Sequence, residues 1–356
     1  MSDIADLSKG IGISKDQLSA DGEPCILYGE LYTKYKSETI KEVISKTNID
    51  NTKLVKSKAN DVIIPCSGET AEEIATARCV LKDDVLLGGD LNIIRLHGYD
   101  GSFMSYQLNG KRKYDIAKVA QGVSVVHLYG EHLKNIKTFN PSLNEQKKIA
   151  NLLSLLDERI STQNKIIEDL KKLKSAISDR LFKNIKVDVI TLSEICDIVK
   201  GKQINGEYLT ESGEYYVMNG GTEPSGYYGD YNVDANTISI SEGGNSCGYV
   251  QFNTSPFWSG GHCYSIQNIA DHVDNLYLYH YLKSNEEVIM RLRIGSGLPN
   301  IQKTDLTMFK IKVPTFEQQI TISTFLSSLE RKAEIEERIQ NVILKQKLYL
   351  LQQMFI

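Results

Sequence analysis

The stretch from Glu145 to Phe182, EQKKIANLLSLLDERISTQNKIIEDLKKLKSAISDRLF, limits what this chain can fold into more than any other. It holds no Gly or Pro and is rich in Leu, Ile, Lys and Glu, which apart from Ile are good helix formers. Alternating steps of four and three from Ile149 land on Leu153, Leu156, Ile160, Gln163, Ile167, Leu170, Lys174, Ile177 and Leu181. Only Gln163 and Lys174 interrupt the apolar seam. A seam held over several heptads belongs to a coiled coil rather than to a globular amphipathic helix. At about 1.5 Å per residue the helix would run on the order of 55 Å, well beyond a typical globular helix. A lone helix of this kind is marginal in water, so it needs a partner.

The chain supplies one. Adding 173 to the seam positions reaches Ile322, Leu326, Leu329, Ala333, Glu336, Gln340, Ile343, Lys347, Leu350 and Met354. The correspondence extends outward, with Pro141 meeting Pro314, Leu133 meeting Leu306, Gly122 meeting Gly295, and Leu181-Phe182 meeting Met354-Phe355. Glu145-Gln146 resembles Glu317-Gln318 with a slip of one residue. The second seam is weaker at Ala333, Glu336 and Gln340, and Ile335, Ile339 and Val342 suggest a shifted register there. Further upstream, Ile195-Cys-Asp-Ile-Val-Lys200-Gly201 through Ile204 matches Ile4 to Ile13 at an offset of 191. Gly22-Glu23 meets Gly213-Glu214, and Gly29 meets Gly220, at the same offset. The chain is therefore a tandem duplication of a globular part followed by a long helix, and the second copy has lost residues from its middle.

Between these markers the N-terminal part reads as strand and loop. A short strand or turn near Ile4–Ile13 leads to the aromatic-basic run Tyr28–Lys36, and a helix is expected near Ser37–Ile44. Asp61–Pro65 and Asn92–Leu96 read as strands, and a last strand is expected to run up to Pro141. Val187–Ile190 restarts the programme. The second middle is rich in Gly, Tyr and Asn, with Tyr215–Tyr228, Ser241–Ser246, Trp258–His262 and Arg291–Asn300 as its polar turns. Asn, Glu and Arg on Gly turns suit base edges, and small hydroxyls and backbone amides suit phosphates. Any single such loop is equally a solvated turn, and Tyr pairs are common cross-strand neighbours.

Composition excludes several classes. At 356 residues the chain has length for two or three domains, and 41% hydrophobic with 24% charged residues is ordinary for a globular protein. No apolar run approaches a membrane span, and residues 1–20 lack the apolar core of a leader, so a cytoplasmic protein is expected. The six cysteines form no Cys-x-x-Cys pair and read as buried or incidental thiols. There is no GxxxxGK[ST] loop, G-x-S-x-G elbow or H-E-x-x-H helix, and the six His do not pair at ligand spacing. Phe139-Asn140-Pro141-Ser142 shares only Asn-Pro with the Asn-Pro-Pro-aromatic motif of amino-methyltransferases and reads as a structural Pro before the long helix. Nothing here points to catalysis or to a metal. A net charge of −4 argues mildly against DNA binding by the isolated chain.

The helix-entry stretches Pro141–Asp157 and Val313–Ser327, the domain-start pairs Lys9-Gly10 and Lys200-Gly201, and Gly295-Ser296-Gly297-Leu-Pro-Asn300 resemble the specificity subunits of type I restriction-modification systems. The resemblance covers essentially the whole chain. In the first copy, Gly122-Val-Ser departs from it by lacking the second Gly and the Pro-Asn. The resemblance implies an α+β fold with an internal pseudo-twofold duplication. Two β-rich α/β target recognition domains, 1–142 and 185–314, would be separated by two long helices, 143–184 and 315–356, packed as an antiparallel coiled coil. It further implies a non-catalytic chain that reads a bipartite, asymmetric site in double-stranded DNA. Two methyltransferase subunits, themselves using S-adenosylmethionine, would dock on the helices, and restriction-translocase subunits would join that complex. No membrane, small-molecule substrate or cofactor is expected for the chain itself.

By residue chemistry and loop position, the expected DNA contacts in the first copy are Lys9, Lys15, Tyr32, Lys34, Ser67, Glu69 and Arg78. In the second they are Lys200, Lys202, Asn219, Glu223, Ser241, Asn245, Arg291, Arg293 and Asn300. Ile149, Leu153, Leu156, Ile160, Ile167, Leu170, Ile177, Leu326, Leu329, Ile343 and Leu350 are expected to form the coiled coil and its partner contacts. Two rival classes are a coiled-coil adaptor that binds only proteins, and a nuclease or methyltransferase whose motif is not apparent.

Overall fold

A computed structural model describes residues 1–122, 125–295, 297 and 299–355. The chain divides into two compact units, residues 1–165 with 337–356 and residues 166–336, so each unit takes one part of each long helix.

In the first unit, a five-stranded sheet is built from β1 (Ala5–Lys9), β2 (Thr39–Ile40), β3 (Asp61–Pro65), β4 (Arg78–Val80) and β5 (Leu91–Leu96), in the spatial order β1-β5-β3-β4-β2. Asp61-Val-Ile-Ile-Pro65 is apolar without alternation because both faces of the sheet are covered: Val62 and Ile64 join one core cluster, Ile63 the other. A second five-stranded sheet carries Glu23–Ile26 and Leu86–Leu87 as a parallel pair. The helix expected near Ser37–Ile44 is instead the single turn Glu30–Thr33, while residues 39–40 pair in the sheet. The expected last strand reaches only Val126–His127, then Gly130–Lys134 forms a helical turn. Of the Gly122-Val-Ser loop, Val123 and Ser124 lie outside the described residues. Helix α1 (Gly101–Asn109) begins at Asp100, whose Oδ1 accepts the Phe103 N–H at 2.8 Å.

Helix α2 (Leu143–Asn184) opens with a reciprocal cap. The Glu145 carboxylate accepts from Ser142 N at 3.1 Å, and Ser142 Oγ accepts from Glu145 N at 3.4 Å. In the second unit, β6 (Asp197–Lys200), β7 (Thr237–Ser241), β8 (Val250–Asn253) and β9 (Cys263–Gln267) form a four-stranded sheet ordered β6-β9-β7-β8. Helix α3 (Asn275–Ser284) is capped by Asp274, which accepts from Tyr277 N at 2.7 Å. Helix α4 (Phe316–Gln353) follows a strand pair joining Val189–Thr191 to Lys310–Lys312.

Within each unit the two helix segments run antiparallel. In the first unit, Asp157 pairs with Lys347 at 2.5 Å and Asn164 with Gln340, so one index rises as the other falls. In the second, Lys174 pairs with Glu330 at 2.8 Å, and Ile177 and Leu181 pack on the cluster of Ile322 and Leu326. All eleven expected seam residues are buried or half-buried. The expected register shift does not occur. Ile335, Ile339 and Val342 are 46%, 36% and 64% exposed, while Ala333, Glu336 and Gln340 keep the seam position. Polar pairs at Lys174–Glu330, Asn164–Gln340 and Asp157–Lys347 hold that register, since a slip would leave inward charges unpaired.

The two units repeat each other in detail. Gln146, 1% exposed, accepts from Asp100 N at 2.9 Å and donates to Pro141 O at 2.8 Å. Gln319, 0% exposed, accepts from Asp274 N and donates to Pro314 O, each at 2.8 Å. Gln146 therefore corresponds to Gln319 at the unslipped offset of 173, which corrects the one-residue slip read from Glu317-Gln318. The Tyr106 hydroxyl donates to Asp157 at 2.7 Å and that of Tyr279 to Glu330 at 3.0 Å, so each ion pair also ties the module's helix to the long helices.

Candidate nucleic-acid interface

Three antiparallel strands in each unit share one register. Lys9 on β1 stands opposite Asn92 on β5, and Lys200 on β6 stands opposite Tyr264 on β9. Pro65 on β3 faces Leu91, and Ser241 on β7 faces Cys263. The offset is thus 191 at the first of these strands, 176 at the second and 172 at the third, so most of the shortening precedes the second. Beyond the sheet, Leu128 N donates to Cys66 O at 2.8 Å and Ile301 N to Glu242 O at 2.9 Å. The buried side chains beneath repeat this: Asn92 Nδ2 donates to Leu128 O at 3.0 Å, and the Tyr264 hydroxyl to Ile301 O at 3.1 Å. Lys9 and Lys200 are therefore equivalent, and Cys66 stands where the second unit has Glu242.

In the second unit this strand end gathers a polar cluster. Lys200 Nζ donates to Glu242 Oε1 at 2.6 Å, and the Tyr264 hydroxyl lies 3.0 Å from the same oxygen, its single proton shared between this carboxylate and Ile301 O. Burial pushes the Tyr264 hydroxyl well above its usual range, and the Glu242 carboxylate adds to this. His262 N donates to Asn219 Oδ1 at 3.1 Å, and Trp258 Nε1 donates to Lys202 O at 2.9 Å. Gly244 N donates to Pro299 O, and Ile294 and Asn300 exchange backbone bonds, which ties the Ser241–Ser246 turn to the Arg291–Asn300 turn. Lys200, Lys202, Asn219, Asn245 and Asn300 are thereby brought to one place. Arg291 and Arg293 are exposed on the approach to Ile294, and Glu223 is exposed between the strands at 215–218 and 227–228. Of the Gly295–Asn300 motif, Ser296 and Leu298 lie outside the described residues.

The first unit's equivalent cluster is smaller. Lys9 Nζ lies 5.5 Å from the Tyr129 ring centroid. Ser67 Oγ donates to Asp90 at 3.3 Å, Ser67 O accepts from the Tyr32 hydroxyl at 3.3 Å, and Ser67 pairs across to His127. Glu69 is exposed just beyond, before the Thr70 cap. Lys15 is exposed on the turn Lys15–Gln17, and Lys34 is engaged at 2.7 Å by both Glu30 and Ser45.

Two expected contacts are committed elsewhere. Arg78 turns inward: its guanidinium donates to Tyr35 O at 3.1 and 3.2 Å, and burial pulls its pKa down despite Glu38 and Asp157. Ser241 is 4% exposed and donates to Gly220 O at 2.7 Å. In both cases the fold supplies a carbonyl that sequence could not reveal. The Asn219 side chain is likewise engaged, its Oδ1 accepting from His262 N of a second loop. Conversely, Glu242, Trp258 and His262 lie in turns that the sequence singles out but, like Asp90 and Tyr129, are not among the expected contacts. The signal for Glu242 was its place at the end of an alternating strand, immediately before Gly243-Gly244. Among the described residues, no group of three His, Cys, Asp or Glu is arranged to hold a metal ion. Nor is any helix long and apolar enough to cross a membrane.

Fold and strand-end chemistry together define a duplicated two-module protein with one lysine-tipped sheet per module. Residues 1–172 and 184–345 each match the family described as type I restriction modification DNA specificity domain, and the chain belongs to that family. The "Type I restriction enzyme MjaVIII specificity subunit" of Methanocaldococcus jannaschii is 25% identical over 385 residues, covering 97% of this chain and 89% of that one. The Mycoplasma pneumoniae protein named "Putative type I specificity subunit S.MpnORF638P" is 34% identical over 146 residues, 40% of this chain. The matched part spans 39% of that relative's length, and 43% of a Mycoplasma genitalium relative's. The crystal structure of a type I restriction-modification S subunit from M. genitalium superposes with a TM-score of 0.72 at 20% identity, covering 100% of this chain and 94% of that one. The fold is shared.

Proposed function

We propose that the chain is the non-catalytic DNA-specificity subunit of a type I restriction-modification complex. Residues 1–142 and 185–314 would read the two halves of a bipartite site, with 143–184 and 315–356 as spacer helices. The observation that carries this is the repeated strand register, in which Lys9 and Lys200 keep one position while Cys66 and Asp90 face Glu242 and His262 as counterparts. A shared cation serves the phosphate backbone, which is the same everywhere, and differing neighbours serve base edges, which are not. The two half-sites should therefore differ, and the whole site should be asymmetric.

The long helices favour a scaffold. Leu152 and Leu155 on α2, and Leu348 and Tyr349 on α4, are 44%, 54%, 59% and 63% exposed in the first unit. In the second unit Leu173, Phe316 and Phe325 are exposed in the same way. Apolar rows of this kind suit partner helices. We assign them to two methyltransferase subunits, which would carry S-adenosylmethionine and the chemistry, with restriction-translocase subunits joining through that complex. Partners of this kind would also share phosphate neutralisation, as a chain of net charge −4 requires.

The test is DNA binding by the chain alone and by its complex with cognate methyltransferase subunits. The complex should bind one sequence preferentially and lose roughly a thousandfold or more between about 50 and 200 mM salt, with the chain alone weaker throughout. A complex that assembles yet shows no sequence preference would favour the protein-only adaptor.

A further inference from the structure

We propose that Glu242 reads the exocyclic amino group of a cytosine or an adenine in the half-site of the second module, an assignment that rests on the DNA-specificity reading above. The Glu242 side chain is 4% exposed. Its Oε1 is occupied by Lys200 and Tyr264, whereas Oε2 is buried and accepts no hydrogen bond. His262 Nδ1 stands 3.7 Å from Oε2, beyond hydrogen-bond distance, on an imidazole that is 62% exposed. An unmet buried acceptor is destabilising, and the cost is recovered when a donor arrives.

The frame around it is rigid. Glu242 N donates to His262 O at 2.9 Å, and its own carbonyl accepts from Ile301 N at 2.9 Å and from Cys247 Sγ at 3.0 Å. The turn beside it is open at Gly244, where a Cβ would meet nothing within 4 Å. That glycine also sits at φ +75°, where a side chain would be strained. Chemistry then narrows the ligand. A carboxylate repels phosphate and cannot pair with guanine N7 and O6, which only accept. In the major groove the donors are cytosine N4 and adenine N6. Cys66 at the equivalent place in the first unit brings no such acceptor, so the requirement should fall on one half-site alone.

The experiment uses the assembled complex with wild-type chain, Glu242→Met, which has the length of glutamate without its oxygens, and His262→Ala. Each adenine or cytosine of the second half-site is replaced in turn by purine or pyrimidin-2-one, which lack only the amino group. At one position, removal should cost the wild type and His262→Ala roughly tenfold or more in affinity, but cost Glu242→Met little further. Glu242→Met should leave the first half-site unchanged. Equal losses in wild type and Glu242→Met at every position would overturn the proposal, as would loss of the coupling in His262→Ala alone. So would a wild-type scan in which no amino group can be removed at a cost, whatever Glu242→Met does. Indifference of the wild-type complex to every base of the second half-site would instead overturn the specificity reading itself.

Discussion

His280 shows how burial alone sets a residue's chemistry. It is 2% exposed, its Nε2 lies 2.8 Å from Ser327 Oγ, and its Nδ1 is buried without a hydrogen-bond partner. Burial, reinforced by Lys174, pushes its pKa down to about 4. A histidine whose folded pKa lies below its unfolded value of 6.5 binds fewer protons when native, so acid favours unfolding. The second unit should therefore lose stability as pH falls from about 6.5 towards 4, by on the order of 3 kcal/mol. Thermal unfolding across that window should flatten in His280→Gln, and an equally steep profile in the variant would contradict the assignment. Glu330 acts in a lower window: burial raises its carboxyl, but Lys174 more than offsets this, so its contribution is lost only below its ordinary 4.5. In the sequence the six histidines show no ligand spacing, and His280 is a buried structural residue. Nothing in the sequence hints at Arg78 or Ser241 turning inward, because the carbonyls that hold them come from distant turns.

At the scale of elements, periodicity was the readable part. The heptad steps located both long helices, since burial on one stripe is written in spacing. What spacing missed was the strength of buried polar pins: Ile335, Ile339 and Val342 offered a more apolar stripe, yet Lys174–Glu330 and Asp157–Lys347 kept the register. The helix read near Ser37–Ile44 failed for a related reason, as Thr39 and Ile40 find strand partners in Cys79 and Val80. The twin glutamines give an element-scale prediction. Gln146→Ala and Gln319→Ala each leave a helix-capping N–H and a prolyl carbonyl unpaired in a buried place. Each should cost about 1–3 kcal/mol in urea unfolding, with the loss confined to its own unit. Surface Gln318→Ala should cost far less, and equal losses for Gln318 and Gln319 would restore the slipped alignment.

For the whole molecule, the duplication was legible because the offsets of 191 and 173 survive at the first strand and the long helix, where packing demands similar residues. The chemistry of the two strand ends was not, because Cys66 and Glu242 align only through sheet register and backbone bonds. The central claim is that two modules of one family read two different half-sites for partner enzymes. It is tested most directly by methylome sequencing of cells expressing the chain with its cognate methyltransferase subunit, against cells lacking the chain. The expected result is a new split motif with unlike halves and methylated adenines, present only with the chain. An unchanged methylome in cells where the chain and the methyltransferase demonstrably assemble would contradict it.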